Sequence, residues 1–274
     1  MIESEFAGQD DLTKSHVKGY TRAGVYVRPH ERNGAAAPLA PHHHPRAGDK
    51  GEAVLVKNPH HASAPSTWNE PSAVATFVPE GDVPASLNGI ALHPWKDHPT
   101  TAEGWDYVDG VMDDLVEPAF HLPAGKHPAA GVVIEEPDGR VWLCAPTNAF
   151  GGYHATFAKG TAEHGLSLQS SAIKEAFEET GLKVRITGFM GDFERTTSMA
   201  RMYRAVRVGG SPVEAGWESQ AVHLVPRSHL YEYLNGLADH PIAQVAGAGP
   251  APKKPAPDAN IGTKPPFGGL FGKK

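Results

Sequence analysis

Apolar positions recur at readable intervals through the second half of the chain. Residues 131–134, Gly-Val-Val-Ile, form a β-branched run that predicts a strand. Pro137-Asp138-Gly139 predicts a turn, because Pro presets φ and Gly supplies a positive φ. Residues 141–145 return as the second strand of a hairpin. Residues 168–180 predict a helix, with Ser167 placed to cap its first turn and Gly181 to end its last. Residues 184–186, 202–208 and 221–225 predict further strands, and 231–237 a terminal helix. Before this region, residues 73–78 have strand character, and 25–27 make one short strand. Trp105, Val108, Val111 and Leu115 fall at helical spacing.

This patterning divides the chain into a weakly ordered segment at 1–66, an accessory subdomain or extension at 67–126, a globular domain at 127–241 and a Pro/Gly/Lys-rich tail at 242–274. Composition agrees with a mixture of packed and loose chain. Gly (30) and Pro (25) make up about a fifth of 274 residues, and 40% are hydrophobic. The 16 histidines include runs at 42–44 and 60–61, set among Ala and Pro with no strand or helix pattern, and read as loop.

Charge and cysteine content narrow the function. The net charge is −6 and no dense basic block occurs, so a nucleic-acid partner is not expected. Cys144 is the single cysteine; it lies in an apolar run and reads as a core thiol, and one cysteine makes neither an internal disulfide nor a Cys-rich zinc site. The acidic first residues carry no leader pattern, and no apolar run approaches the ~20 residues of a membrane span. A cytoplasmic protein is the expectation. A homodimer is left open.

The chemistry concentrates in Lys174-Glu175-Ala176-Phe177-Glu178-Glu179. On a helix, positions i, i+3 and i+4 share a face, so Glu175, Glu178 and Glu179 converge. Three carboxylates there repel one another, and a hard divalent cation relieves that repulsion.

The context of this triplet resembles the Nudix box: Gly, five residues, Glu, seven residues, Arg-Glu, aliphatic, any, Glu-Glu, any, Gly, aliphatic. Gly160 fits the first glycine, and Glu175, Glu178, Glu179, Gly181 and Leu182 fall at the expected spacing over residues 160–182. Leu166 stands where the pattern has its first Glu, and Lys174 stands in the Arg place, keeping charge but losing the bidentate fork. The resemblance implies an α/β/α sandwich with a mixed sheet. It also implies Mg²⁺ or Mn²⁺ held by Glu175, Glu178 and Glu179 with the Gly160 loop shaping the site, and hydrolysis of a nucleotide diphosphate bond. Lys174 and Glu163 are supporting residues. A further carboxylate from a later loop is expected, with Glu214 and Glu218 as candidates. For the substrate, Phe150 and Tyr153 are candidates to stack on a base, and Arg195 and Arg201 to contact phosphate or ribose. Subgroup positions hold Ser198 and Ala200 rather than Pro and Tyr, so they select no subgroup. An ADP-ribose or nucleotide-sugar type of substrate is the leading expectation, by analogy with the breadth of the family. A triphosphate-sanitising hydrolase and a non-catalytic nucleotide sensor are the alternatives.

Overall fold

The computed structural model describes residues 42–56, 61–147 and 152–252, together with four short strand backbones nearer the N-terminus. The chain divides into two compact units, residues 1–43 and 44–274. In the first, β1 (Lys14–Val17) pairs antiparallel with β4 (His30–Asn33) and β2 (Tyr20–Arg22) with β3 (Val25–Val27). The strand expected at 25–27 is β3.

In the second unit the order is β5 (Ala75–Phe77), β6 (Ser86–Leu87), β7 (Ile90–Ala91), α1 (Ala102–Asp106), β8 (His127–Glu135), β9 (Arg140–Pro146), β10 (Lys159–Thr161), α2 (Leu168–Thr180), β11 (Leu182–Glu194), β12 (Ser198–Gly210), β13 (Ser219–Pro226), α3 (Leu230–Tyr233) and α4 (His240–Val245). One mixed sheet runs β11-β12-β8-β9-β13-β5. Its β12–β8 pairing is parallel and its other pairings are antiparallel. The β8–β9 ladder covers Ile134↔Trp142 and Glu135↔Val141; further along β8, β10 takes the place of β9, with Gly160 opposite Ala130.

Period-two alternation sorts side chains to two faces. Val132, Ile134, Trp142, Tyr203 and Ala205 join one buried cluster with Ile173, Ala176 and Phe177 of α2. Val133, Val141, Leu143 and Met202 join the other with Leu230, Leu234, Ile242 and Ala243. Helices therefore cover both faces, and the class is α/β. Residues 65–108 complete the first face: Trp68, Phe77, Trp95, Trp105 and Val108 belong to the same cluster. Trp95 and Trp105 meet Phe177 of α2 at ring-centroid distances of 5.3 and 6.1 Å.

Several elements differ from the sequence expectation. The helical spacing of Trp105, Val108, Val111 and Leu115 yields helix only over Ala102–Asp106. Gly110 has φ 108°, and its carbonyl accepts the Ile186 amide at 2.8 Å. The segment thus lies along the β11 edge, and its apolar residues are buried by sheet contact instead of helix formation. The terminal helix ends early, at Tyr233, where Leu234 leaves the helical region with ψ 84°. A second helix, α4, follows, and Ile242, Ala243 and Ala246 stay buried, so the packed chain passes the boundary drawn at 241. Residues 44–56, within the stretch read as weakly ordered, hold a turn closed by His44 N–H to Val54 O (2.8 Å) and Gly48 N–H to Glu52 O (2.9 Å), with Val54 and Val56 buried. The histidine at 60 and the tail from 253 lie outside the described residues.

Candidate active site

Helix α2 begins where the Ser167 hydroxyl accepts the Ser170 amide at 3.0 Å, and it ends at Gly181, whose φ is 71°. A side chain at Gly181 would strike Ser211 O at 2.2 Å, so the stop is both conformational and steric. Ile173, Ala176, Phe177 and Thr180 face the core. That orientation leaves Glu175, Glu178 and Glu179 along the sheet end occupied by β10.

Gly160 in β10 passes so close to Glu175 that a Cβ there would lie 2.3 Å from the carboxyl carbon and both oxygens. The Lys159 amide donates to Glu179 Oε2 at 2.8 Å, and the Cys144 thiol approaches the same oxygen at 3.4 Å. Lys174 bridges Glu163 (2.5 Å) and Glu178 (3.0 Å), which ties the loop after β10 to the helix. Lysine reaches two carboxylates here as a point charge, which accounts for its occupying the Arg position. Leu166 packs against the core cluster.

Like charges and burial act together on these carboxyls. Burial, then the neighbouring Glu179 and Glu178, pushes Glu175 up to about 9, with Lys174 opposing. Burial raises Glu179 to about 7 against the pull of Lys159. Cys144 is fully buried, and burial lifts its thiol well above the ordinary value; a core thiol fits.

The loop after β12 separates the two later glutamates. The Gly216 amide donates to Glu178 O at 2.6 Å, capping a carbonyl of the last helical turn, and the Thr147 amide donates to Glu218 O at 2.6 Å. Glu218 is thereby brought to the cluster: its carboxyl is raised by burial, then by Glu178 and Asp49. Glu214 instead pairs with Arg46 at 3.0 Å. Beside Lys174 and Glu178 a cleft of about 330 Å³ opens, walled by His98, Thr101, Trp105 and Phe177.

The model of the NUDIX domain family matches residues 125–244. Over residues 125–244 the chain carries a NUDIX domain. Solved structures are similar to the chain at low identity. A Nudix hydrolase from Nitrosomonas europaea is 19% identical over 66% of this chain and 91% of its own, with a TM-score of 0.39. An ADP-ribose pyrophosphatase from Streptococcus suis is 16% identical over 43% and 88%, with a TM-score of 0.36. An Ap4A hydrolase from C. elegans is 18% identical over 43% and 92%, with a TM-score of 0.34. Likeness at this level carries nothing about substrate. No curated protein matches the chain.

Within the Nudix domain, the expected substrate arginines are engaged elsewhere. Arg195 donates to Asp239 (2.7 Å) and to the Tyr153 hydroxyl (2.9 Å), and its side chain is 9% exposed. Arg201 is spent on Asp192 (2.7 and 2.8 Å), Glu117 (2.8 Å) and Pro118 O (2.9 Å), at 4% exposure. Each guanidinium donates to carboxylate and to carbonyl or phenol groups of the protein, which makes both structural ties in this fold. Tyr153 packs against Gly236, and its hydroxyl accepts from Arg195. Phe150 lies outside the described residues. The Lys159 amide and Asp49 escaped the sequence reading. Lys159 directly precedes the box glycine, a usable signal; Asp49 lies far upstream of the box with no local signal.

Proposed function

We propose that the Nudix domain is a metal-dependent pyrophosphohydrolase that cleaves the diphosphate of a cytoplasmic nucleoside-diphosphate derivative of ADP-ribose or nucleotide-sugar type. The observation that carries the reading is Glu175, Glu178 and Glu179 on one helix face beside β10, with Glu218 brought alongside by the loop before β13. The substrate class rests on the breadth of the family alone.

The residues fit a hard divalent cation. The donors are carboxylate oxygens, and Glu175 is raised by burial and then by Glu179 and Glu178, a repulsion that a cation relieves. Among the described residues no three His, Cys, Asp or Glu side chains stand in a group that could hold a metal ion by themselves. Mg²⁺ keeps waters and takes substrate phosphates. Glu175, Glu178 and Glu179 would hold the ion, which when bound neutralises charge on the diphosphate and lowers the pKa of a bound water. The chain's own groups do the rest. The Lys159 amide fixes one Glu179 oxygen, and Gly160 leaves Glu175 room against β10. Lys174 holds Glu178 and Glu163 in register. Glu218, held above the usual carboxylate range, accepts the proton of the attacking water. The cleft beside Glu178 receives the distal group of the substrate.

The test is hydrolysis of ADP-ribose, a UDP-sugar, diadenosine polyphosphates, NADH and 8-oxo-dGTP with Mg²⁺, Mn²⁺ or EDTA. The expected result is metal-dependent release of a nucleoside monophosphate, absent in EDTA and in Glu178→Gln. Preferred turnover of 8-oxo-dGTP moves the substrate to triphosphates. Saturable binding without turnover on every compound sinks the hydrolase reading and leaves a sensor module.

The same carboxyls make stability depend on pH. Their pKa is higher folded than unfolded, so the folded state binds more protons and loses stability as pH rises from about 4.5 towards 9. In EDTA the melting temperature should fall across that window. Saturating Mn²⁺ should restore about 5 °C near pH 8 and nothing near pH 5, where protons compete with the ion. A flat profile in EDTA would remove the crowding argument.

A further inference from the structure

The turn at residues 44–54 precedes the Nudix domain, yet it touches the loop that presents Glu218 at two points. Arg46 Nη2 donates to Glu214 Oε2 at 3.0 Å, and Trp217 Nε1 donates to Asp49 Oδ1 at 3.1 Å. The other side of that loop is held from within the domain. The Thr147 hydroxyl donates to Trp217 O at 2.7 Å, the Thr147 amide to Glu218 O at 2.6 Å, and Gly216 N–H to Glu178 O at 2.6 Å. Trp217 is thus gripped by its carbonyl from one side and its indole from the other, and Glu218 is the next residue.

Gly216 lies close against the end of α2, where a Cβ would meet Glu178 O at 2.8 Å. The indole contact to Asp49 holds the loop from the opposite side, one residue before Glu218. The turn that supplies Asp49 is itself anchored: Val54 and Val56 are buried, and His44 Nδ1 accepts the Arg46 amide at 3.0 Å.

We infer that the 44–54 turn belongs to the active site as a clamp, with Asp49 a positioning residue that fixes Glu218 through the indole of Trp217. The catalytic part of this inference rests on the hydrolase reading above; the clamp itself does not. Arg46 is the lesser partner, since its ion pair with Glu214 is 44% exposed on the Arg side, and exposed pairs contribute little.

The experiment uses the full chain with Asp49→Ala, Asp49→Asn and Trp217→Phe. Asn keeps an Oδ1 acceptor for the indole and removes only the charge. Amide exchange over residues 212–219 is read by mass spectrometry alongside kcat and KM on the best substrate. The expected result is roughly tenfold faster exchange and roughly tenfold lower kcat at unchanged KM in Asp49→Ala and Trp217→Phe, with β8 amides unaffected. Asp49→Asn should retain the parent's exchange, while its loss of a negative charge beside Glu218 shifts the pH profile of kcat. Parent-like behaviour of Asp49→Ala overturns the clamp. Exchange in Asp49→Asn as fast as in Asp49→Ala overturns it too, because charge and not position is then what holds the loop. Should the parent turn over no substrate, the exchange results still decide the clamp and the hydrolase reading falls alone.

Discussion

Glu175→Gln is expected to lower kcat/KM by about a thousandfold with saturating Mg²⁺, and to melt higher than the parent in EDTA at pH 8. Both effects come from one feature. Glu175 lies under β10, where Gly160 leaves no room for a side chain, and its carboxyl is pushed up to about 9 by burial and by Glu179 and Glu178. Ionising it in the metal-free protein therefore costs stability, and an amide of the same shape escapes that cost. With the ion bound, the same charge becomes useful, and the amide cannot supply it. Steady-state hydrolysis and thermal unfolding in EDTA on the same preparation check the pair of signs. A variant that loses activity and also melts lower would mark Glu175 as a packing residue. Retained activity would remove it from the proposed ligand set.

Arg207→Met should destabilise the protein by about 3–5 kcal/mol, because it strands a buried carboxylate. Arg207 and Glu136 are both 0% exposed and meet at 2.5 Å. Arg207 also donates to Leu87 O (2.9 Å), Ala91 O (3.3 Å) and Ile90 O (3.4 Å), which ties the β6–β7 hairpin to β12. Trp142 Nε1 and Asn88 Nδ2 complete the Glu136 shell at 2.8 and 2.9 Å. Removing the cation leaves Glu136 with two neutral donors in a dry site. Urea unfolding measures the loss, and the double variant Arg207→Met/Glu136→Leu should recover much of it, because both charges are then gone. A single-variant loss below about 1 kcal/mol would mean that water reaches Glu136.

Local signals carried far in this chain. The helix at Leu168–Thr180, its Ser167 cap and its Gly181 stop matched the structure residue for residue, since capping and left-handed termination are settled within one turn. The hairpin around Pro137-Asp138-Gly139 and the strand near 221–225 also lie where alternation placed them. β11 and β12 run to 13 residues each, well beyond the short runs visible in sequence. Gly188, Gly191 and Asp192 mask β11, and register shifts accommodate them. Arg201 and Arg207 interrupt the apolar pattern of β12 because their charges are neutralised by residues distant in the chain.

The sequence by itself determined the Nudix box and the shared helix face of Glu175, Glu178 and Glu179, because helical periodicity converts spacing directly into direction. Only the tertiary structure paired Glu214 with Arg46, gave Arg195, Arg201 and Tyr153 their partners within the protein, and brought Asp49 to Trp217. The reason is range. A cap, a turn or a helix face is fixed by groups a few residues apart, whereas the partner that consumes a guanidinium or holds a loop lies dozens to more than a hundred residues away and is chosen by how sheet and helices pack.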